Sequence, residues 1–337
     1  MLMKILCPRT AVAITALSIH ASLSGDALLL LQEASASASA TADAATDSPV
    51  ETTSGFRVVD YKPSGGFVHE FSANLSGGGS VSVDRAFAAF KVGFAAGTDV
   101  TGSIGVAWGG DWYDFDGTSE LSPAPDTAPW SDVQAIALLG RATWKIDERW
   151  STIVGLDLRV AGERNADAGD SMTYGGLGAV SYAFSPKFSL GAGAIISSQI
   201  EDSILVIPAL VVYWQVTDTV LISNVLGPEV YPTGAGIEAA WRPDASREVA
   251  IGGRYESRRF RLDDDGPLVR QKGVGEDTGF PLWARATWRF ENGIRLDVIG
   301  GVSLFNTYRL DDSNGNEIAS SDVDPAPFIG VFGSWRF

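Results

Sequence analysis

The chain has 337 residues, of which 45% are hydrophobic, and this suits one large all-β domain or two ordinary domains with a sizeable core. Its 41 acidic and 25 basic residues give a net charge of -16, which excludes the basic surface that nucleic-acid binding needs. The single cysteine, Cys7, excludes a disulfide framework, and the two histidines, His20 and His69, weigh against most enzyme classes.

The first 36 residues have the features of an export signal. Lys4 and Arg9 precede an apolar stretch, and the small residues of EASASASATADAA offer several cleavage sites. These features predict a signal peptide over residues 1–36 with its cleavage site open, and a second apolar patch, ALLLL, leaves an uncleaved anchor as the alternative. The Ala-, Ser- and Thr-rich residues 37–65 are predicted to form a flexible tail.

Residues 66–337 alternate between apolar and polar side chains with the period of β-strands. In STIVGLDLRVAGE, Leu156 belongs to a continuous apolar face and Asp157 to a face that carries charge. WARATWRF and GIRLDVIGGV divide in the same way. No segment of this region reaches the ~18 uninterrupted apolar residues of a membrane helix.

The connections between these strands alternate in length. Short turns such as GTD, DER, SPK, TDT and ENG take turns with longer polar loops such as DFDGTSELSPAPDTAPW, RNADAGD, QIEDS and GPEVYPTG. Tight turns at one end and long loops at the other are typical of outer-membrane barrels. We therefore predict an all-β fold over residues 66–337, an antiparallel up-and-down transmembrane β-barrel with short periplasmic turns and long extracellular loops. About 14 strands are expected, with 12 as the alternative, beginning near Phe67–Ser76 and Val81–Ala96.

Aromatic residues next to the short turns are predicted to form a belt at the membrane surface, since such rings favour the head-group level. The belt comprises Trp144, Trp150, Phe184, Phe188, Trp214, Trp241, Trp288, Phe290, Trp335 and Phe337. The opposite girdle is expected to include Trp108, Trp112, Tyr113 and Trp130. Hairpin geometry places three pairs face to face, Ile146 with Trp150, Phe184 with Phe188, and Phe290 with Ile294, and puts Gly293 in a left-handed conformation.

The sequence ends with GVFGSWRF, an alternating strand that carries an aromatic residue at the last position. This segment resembles the C-terminal β-signal of bacterial outer-membrane proteins. The region from about residue 227 onward, with GPEVYPTGAGIEAAW and DPAPFIGVFGSWRF, resembles a family of functionally uncharacterised outer-membrane β-barrel proteins. The resemblance implies that the barrel-assembly machinery reads Ile329, Val331, Trp335 and Phe337, and it implies no substrate or catalytic residue.

Chemical sites are scarce in this sequence. His69 shares the parity of Phe67 and Phe71, so it is expected to face lipid, without a role in catalysis. The segment LDDSNGNE loosely resembles a calcium loop but lacks the full ligand spacing, so an acidic solvated loop is the preferred interpretation. We predict no enzyme activity, no cofactor and no metal site.

The inner face is the remaining place for selectivity. Parity directs ten charged side chains into the lumen: Arg141, Asp157, Arg159, Arg254, Glu256, Arg258, Arg285, Arg289, Arg295 and Asp297. They form either a ladder of salt bridges along the wall or an arginine-lined constriction that favours anions. The expected function is a monomeric passive channel for small solutes, with the lipid bilayer and the assembly machinery as partners. The alternatives are a closed structural or surface-binding barrel and a conduit for hydrophobic ligands, because ILVIPALVVYW is apolar on both faces.

Overall fold

The computed structural model describes residues 55–117, 119–122, 127–224 and 235–337. It contains fifteen strand segments: β1 (Phe56–Asn74), β2 (Ser80–Ala96), β3 (Val100–Asp116), β4 (Asp132–Lys145), β5 (Trp150–Glu163), β6 (Met172–Ser185), β7 (Phe188–Gln199), β8 (Asp202–Gln215), β9 (Val220–Ser223), β10 (Ala235–Trp241), β11 (Arg247–Arg261), β12 (Val274–Arg289), β13 (Ile294–Asp311), β14 (Glu317–Val323) and β15 (Ala326–Trp335). Among the described residues, no helix is long and apolar enough to cross a membrane.

The strands form a closed barrel. Each strand from β1 to β13 pairs antiparallel with the next, and β15 pairs with both β13 and β1. β14 also pairs with β13 and is separated from β15 only by Asp324 and Pro325, so the two segments share one position in the wall. The described residues therefore form a barrel with 14 strand positions, which confirms the predicted fold class and excludes 12.

The barrel starts earlier than predicted. β1 begins at Phe56, so residues 56–65, which the sequence assigned to the tail, lie in a strand paired with β2. The predicted signal peptide and the rest of the tail lie outside the described residues. The alternation of Val58 and Tyr61 was obscured by a bulge between Val58 and Asp60, which shifts the inward and outward parity.

The predicted division between an apolar outer face and a charged inner face is confirmed on β5. Leu156 is 72% exposed on the outer wall, whereas its neighbour Asp157 is 6% exposed and faces the lumen. All ten belt residues lie on the outer wall near the short turns, and Trp150, Phe184 and Phe188 continue in ring contacts from strand to strand.

The prediction of the opposite aromatic girdle is correct for two of its four residues. Trp112 lies on the outer face, as does Trp108. Tyr113 has the other parity and is buried in the lumen, and Trp130, in the loop between β3 and β4, is also buried inside. Leu121 and Trp130 of this loop are buried inside the barrel, which the residues that flank the loop do not reveal.

Most turn predictions are confirmed. The amide of Ile146 donates to the carbonyl of Trp150 (2.9 Å), the rings of Phe184 and Phe188 stack at 5.3 Å, and the amide of Phe290 donates to Ile294 (2.8 Å). Gly293 has the expected positive φ of 81°. The backbone amides of Arg149 and Trp150 also lower the pKa of Asp147 in its turn, because they donate to its carboxylate.

One detail of the predicted connections is wrong. QIEDS was assigned to a long loop, but β7 and β8 are joined by residues 200–201 alone, with Glu201 at a φ of 50°. The sequence also predicts that Arg289 lies diagonally across from Asp297, and the register confirms this, since Thr287 pairs with Asp297 and Arg289 with Arg295. The guanidinium of Arg289 nevertheless bonds to Glu248 of the neighbouring β11 at 2.8 Å, a partner that register alone does not specify.

Closure of the barrel should be visible on a denaturing gel. Since β1 and β15 seal the sheet, unfolding cannot begin by peeling a strand from a free edge. The detergent-refolded protein is expected to migrate faster on a denaturing gel when unboiled than after boiling. Partition of the folded protein into a detergent-free aqueous phase would contradict a membrane barrel.

Candidate functional site in the barrel lumen

The short-turn half of the lumen carries a ladder of ion pairs along one side of the wall. Arg285 of β12 lies at its centre and bonds to Glu238 of β10 at 2.5 Å, to Glu248 of β11 at 2.7 Å and to Asp297 of β13 at 3.2 Å. These four side chains are all buried. Because neighbouring strands supply the members of the ladder, it lines the wall and does not cross the lumen.

The other arginines of this region are also matched by carboxylates. Arg289 and Arg242 bond to Glu248, and Arg295 bonds to Asp297. Glu238 accepts a further hydrogen bond from the indole of Trp283 at 3.1 Å. The positive charge that parity alone identified on the inner face is therefore locally compensated.

Farther toward the long loops, charged side chains meet across the lumen. Arg258 of β11 lies 3.5 Å from Asp111 of β3, and Arg85 of β2 lies 2.8 Å from Asp277 of β12. The hydroxyl of Tyr113 also donates to Asp277 at 2.9 Å. We call these contacts the cross-lumen bonds.

The sequence analysis identified Arg258 but missed three charged residues near it, Arg85, Asp111 and Asp277. The alternation of β2, β3 and β12 already indicates that these three side chains face the lumen. It does not indicate that Arg85 and Asp277 form an ion pair, because residues 85 and 277 are distant in the chain.

An aromatic plug fills the lumen at the long-loop end. It is built from Tyr113, Trp130, Phe260 and Tyr308, with Leu262 packed against them in one buried cluster. Trp130 is 0% exposed, with its ring centroid 5.5 Å from that of Phe260 and 5.7 Å from that of Tyr308. Trp130 meets Phe260 edge to face, a favourable arrangement for aromatic rings, and the buried cluster occupies the lumen at this level.

The plug forms because the end of β11 leans across the barrel. Arg261 of β11 makes a parallel β-bridge with Gly162 of β5, although five wall strands separate β5 from β11 on one side and seven on the other. Glu163 fastens this crossing, since its carboxylate accepts from the amide of Asp263 and from Arg270, both at 2.8 Å. Arg261 adds a bond to Glu201 in the turn between β7 and β8.

A cavity of about 140 Å³ lies next to the plug. Apolar side chains cover much of its wall, including those of Val68, Phe87, Ala89, Val133 and Leu139. Charged side chains lie at its margin: Arg85, Lys91, Asp111, Arg159, Glu256 and Arg258. The cavity is large enough for a small solute and combines an apolar interior with a polar rim.

The remaining lumen candidates lie where parity placed them. Arg141 and Asp157 are buried on the inner face, and Arg159 lines the cavity. Arg254 is fully buried, bonds to Glu256 at 2.6 Å and lies over the ring of Trp283. The structure thus brings Arg254, Glu256 and Arg258 into one group and places Arg285, Arg289, Arg295 and Asp297 in the wall ladder.

The apolar inner face predicted for β8 is confirmed in part. Ala209 and Val211 are buried on the inside, while Ile204, Val206 and Leu210 are exposed on the outside. This strand therefore contributes no charge to the lumen over its central residues.

The two candidate chemical sites of the sequence lie apart from the lumen. His69 is on the outer wall, where its ring bonds to Asp84 at 2.7 Å. In the loop after β13, Asp312 accepts from the side chain and amide of Asn316, which lowers the pKa of Asp312. No group of three or more His, Cys, Asp or Glu side chains among the described residues is arranged to hold a metal ion.

No family model and no curated protein matches this chain, so its resemblance to a family of outer-membrane barrels stays a prediction. Solved structures give a distant likeness. An outer membrane channel from Pseudomonas putida F1 is 13% identical, with 86% of this chain and all of that chain covered and a TM-score of 0.45. The P. putida toluene transporter TodX is 10% identical, with coverages of 85% and 91% and a TM-score of 0.40. OccAB4 of Acinetobacter baumannii is 10% identical, with coverages of 86% and 100% and a TM-score of 0.29. At these TM-scores the likeness does not establish a shared function.

Proposed function

We propose that the protein spans the bacterial outer membrane and conducts small solutes, with the aromatic plug as its gate. The observation that carries the proposal is a cavity inside a membrane-type barrel, next to an aromatic plug that the barrel's own residues form. The gate depends on a few cross-lumen contacts, so a modest movement of β11 would open the lumen.

The outer wall supports the membrane location. Large apolar side chains such as Ile136, Leu156, Ile251 and Ile329 are more than half exposed on strands distributed around the barrel. A soluble protein rarely exposes so extensive an apolar surface. The belt of aromatic residues at the short-turn end matches the interfacial position that such rings occupy in membrane proteins.

The arginines favour a structural role over anion selectivity. Arg285, Arg289 and Arg295 each bond to a buried carboxylate, and Arg258 contacts both Asp111 and Glu256. A compensated guanidinium contributes little net field to the lumen. We therefore expect weak charge selectivity in any open state.

The plug also favours a second candidate, a closed structural barrel that transports nothing. The two functions differ in whether the lumen opens once the plug is weakened. Planar-bilayer conductance of the refolded protein separates them, because a gated channel and a sealed barrel respond differently to the same change.

Truncation of the plug is expected to raise conductance. Trp130→Ala removes a fully buried ring from the centre of the cluster, and Asp111→Asn weakens the bond to Arg258 without removing volume. We expect low conductance from the unaltered protein and several-fold higher conductance from either variant.

The matched control is Trp288→Ala, which removes an indole from the outer wall and should leave conductance unchanged. The heat-dependent gel shift identifies variants that have folded. Folded plug variants that remain as silent as the unaltered protein would support the sealed barrel and contradict the channel.

We further propose that the assembly machinery reads Ile329, Val331, Trp335 and Phe337, all exposed on the outer wall. β15 ends at Trp335, but Phe337 still exchanges two backbone hydrogen bonds with Tyr61 of β1, at 2.9 and 3.2 Å, and stacks on its ring. Phe337 therefore also helps to seal the barrel.

Deletion of Phe337 is expected to cost about 1–3 kcal/mol of stability in vitro, from lost side-chain contact and two hydrogen bonds. In cells, the amount in the outer membrane should fall far more than this loss explains. Tyr61→Ala is the control, since it removes the same ring contact and leaves the signal intact. Equal outer-membrane levels of the deletion and the control would show that Phe337 acts only by packing.

A further inference from the structure

The barrel wall is interrupted at one level near the long loops. In β13, one extra residue is inserted between the pairs Thr278↔Thr307 and Phe280↔Leu304. The neighbouring wall position is shared by β14 and β15, which residues 324–325 separate. β1, which pairs with β15 on its other side, contains a bulge between Glu70 and Ala73. Three adjacent wall positions thus have irregular pairing at this level, although the amide of Asp324 still donates to Asn74 at 2.9 Å and Leu75 forms a bridge with Val323.

Phe305 marks the centre of this interruption. Its φ is 53°, a conformation that bulky residues rarely adopt, and its side chain is 83% exposed on the outer wall. A bulge with this geometry turns the ring away from the wall and leaves a recess behind it. Such outliers are retained where the surrounding structure imposes them, and they often occur at functional positions.

The recess, which we call the notch, has a volume of about 430 Å³. Its apolar lining consists of Leu75, Leu304, Phe305, Val323 and Pro325, and its polar lining of Ser76, Asn306, Thr307, Asp322 and Asp324. Leu75 and Val323 belong to the same buried cluster as the aromatic plug. The notch therefore connects the outside of the wall with the back of the plug.

The notch lies at the upper border of the apolar outer wall. Leu282 and Ile329, on the short-turn side of it, are exposed apolar residues. On the long-loop side, Thr307 bonds to Asp322 at 3.1 Å, and polar side chains replace the apolar ones. In a membrane, this border faces the acyl chains just below the head groups of the outer leaflet.

The charge at the rim indicates which part of a lipid would be recognised. Asp322 and Asp324 both line the notch and accept hydrogen bonds from the neutral side chains of Thr307 and Asn74, respectively. Two carboxylates disfavour a phosphate group, whereas Leu304, Phe305 and Val323 offer an apolar surface. The notch is suited to a hydrocarbon chain and not to an anionic head group.

We propose that the notch binds one acyl chain of an outer-leaflet lipid. The chain enters beside Phe305 and packs against Leu75 and Val323, so that a membrane lipid becomes part of the support of the plug. This inference goes beyond conduction and rests only on the membrane location within the proposed function.

Photocrosslinking tests the site directly. The protein is refolded into phosphatidylcholine vesicles that contain a phospholipid with a diazirine on its acyl chain, and crosslinked peptides are quantified by mass spectrometry. We expect the peptides that contain Leu304, Phe305 and Val323 to crosslink several-fold more than the equally lipid-facing segment around Leu156 and Leu158 of β5. Leu304→Trp, which fills the notch from its wall, should remove that excess and leave the β5 signal unchanged.

The possible results distinguish failure of the acyl-chain site from failure of the proposed membrane location. Crosslinks on β5 with no excess at the notch, or an excess that Leu304→Trp does not reduce, would overturn the acyl-chain site while leaving the membrane barrel in place. An absence of crosslinks along the whole wall of a folded barrel would contradict the membrane location itself. Neither result depends on conductance.

Discussion

Replacement of Arg285 by methionine is expected to destabilise the barrel by about 3–5 kcal/mol, the usual cost of removing one partner from a buried ion pair. The guanidinium bonds to three buried carboxylates on three neighbouring strands. Glu248 and Asp297 would keep other arginine partners, but among the described residues Glu238 would keep only the indole of Trp283. The expected loss therefore arises mainly from the stranded charge of Glu238. Urea unfolding of the refolded protein in detergent measures it.

Arg247→Met is the matched control for this change. Arg247 lies at the start of the same sheet region, is largely exposed, and its guanidinium lies 3.9 Å from the carboxylate of Asp244. Surface pairs of this kind contribute about 0–1 kcal/mol, so this variant should unfold nearly as the unaltered protein does. Double replacement of Arg285 by Met and Glu238 by Gln should recover much of the loss. Equal unfolding midpoints for R285M and R247M would show that the ladder is not a source of stability.

The second large effect is expected at Leu156, on the lipid side of β5. Leu156→Arg places a charge near the middle of the membrane span and should cost about 2–4 kcal/mol. The leucine side chain is exposed and touches few protein atoms, so the loss comes from the bilayer and not from disrupted packing. Refolding yield and urea stability in phospholipid vesicles measure the effect.

Thr152→Arg provides the depth control. Thr152 lies on the same face of the same strand, two residues from Trp150 of the aromatic belt. Charges near the interface cost about 0–1 kcal/mol, so this variant should fold with nearly full yield. If both arginine variants lose the same stability in vesicles, the outer face of β5 is not in contact with hydrocarbon. A loss of equal size in detergent and vesicles would point to a steric cause.

The barrel wall could be predicted because its signals are local. Leu156 and Asp157 face opposite ways since successive side chains on a strand alternate, and Gly293 adopts its left-handed turn since no side chain prevents it. Turn lengths then set the up-and-down order, and counting turns gives the number of strands. Each of these inferences uses residues that are near one another in the chain.

For the lumen, the sequence predicts which side chains point inward but not which of them contact one another. Parity placed Arg285 and Asp297 on the inner face, and it identified Arg258, but it did not join Arg258 to Asp111 or reveal Arg85 with Asp277. Alternation specifies which way a side chain points and not which residue it meets across an open space. The partners depend on the diameter and shear of the closed barrel.

An antiparallel barrel wall with an apolar exterior and inward-facing charges follows from local sequence patterns, because strand period and turn chemistry act over a few residues. The aromatic plug in the lumen is visible only in the folded structure. Trp130, which flanks a long loop and resembles a girdle residue, is buried against Phe260 because β11 leans across to β5. That crossing joins residues about a hundred positions apart, held by Glu163 and Arg270, and such long-range contacts exist only once the wall has closed around them.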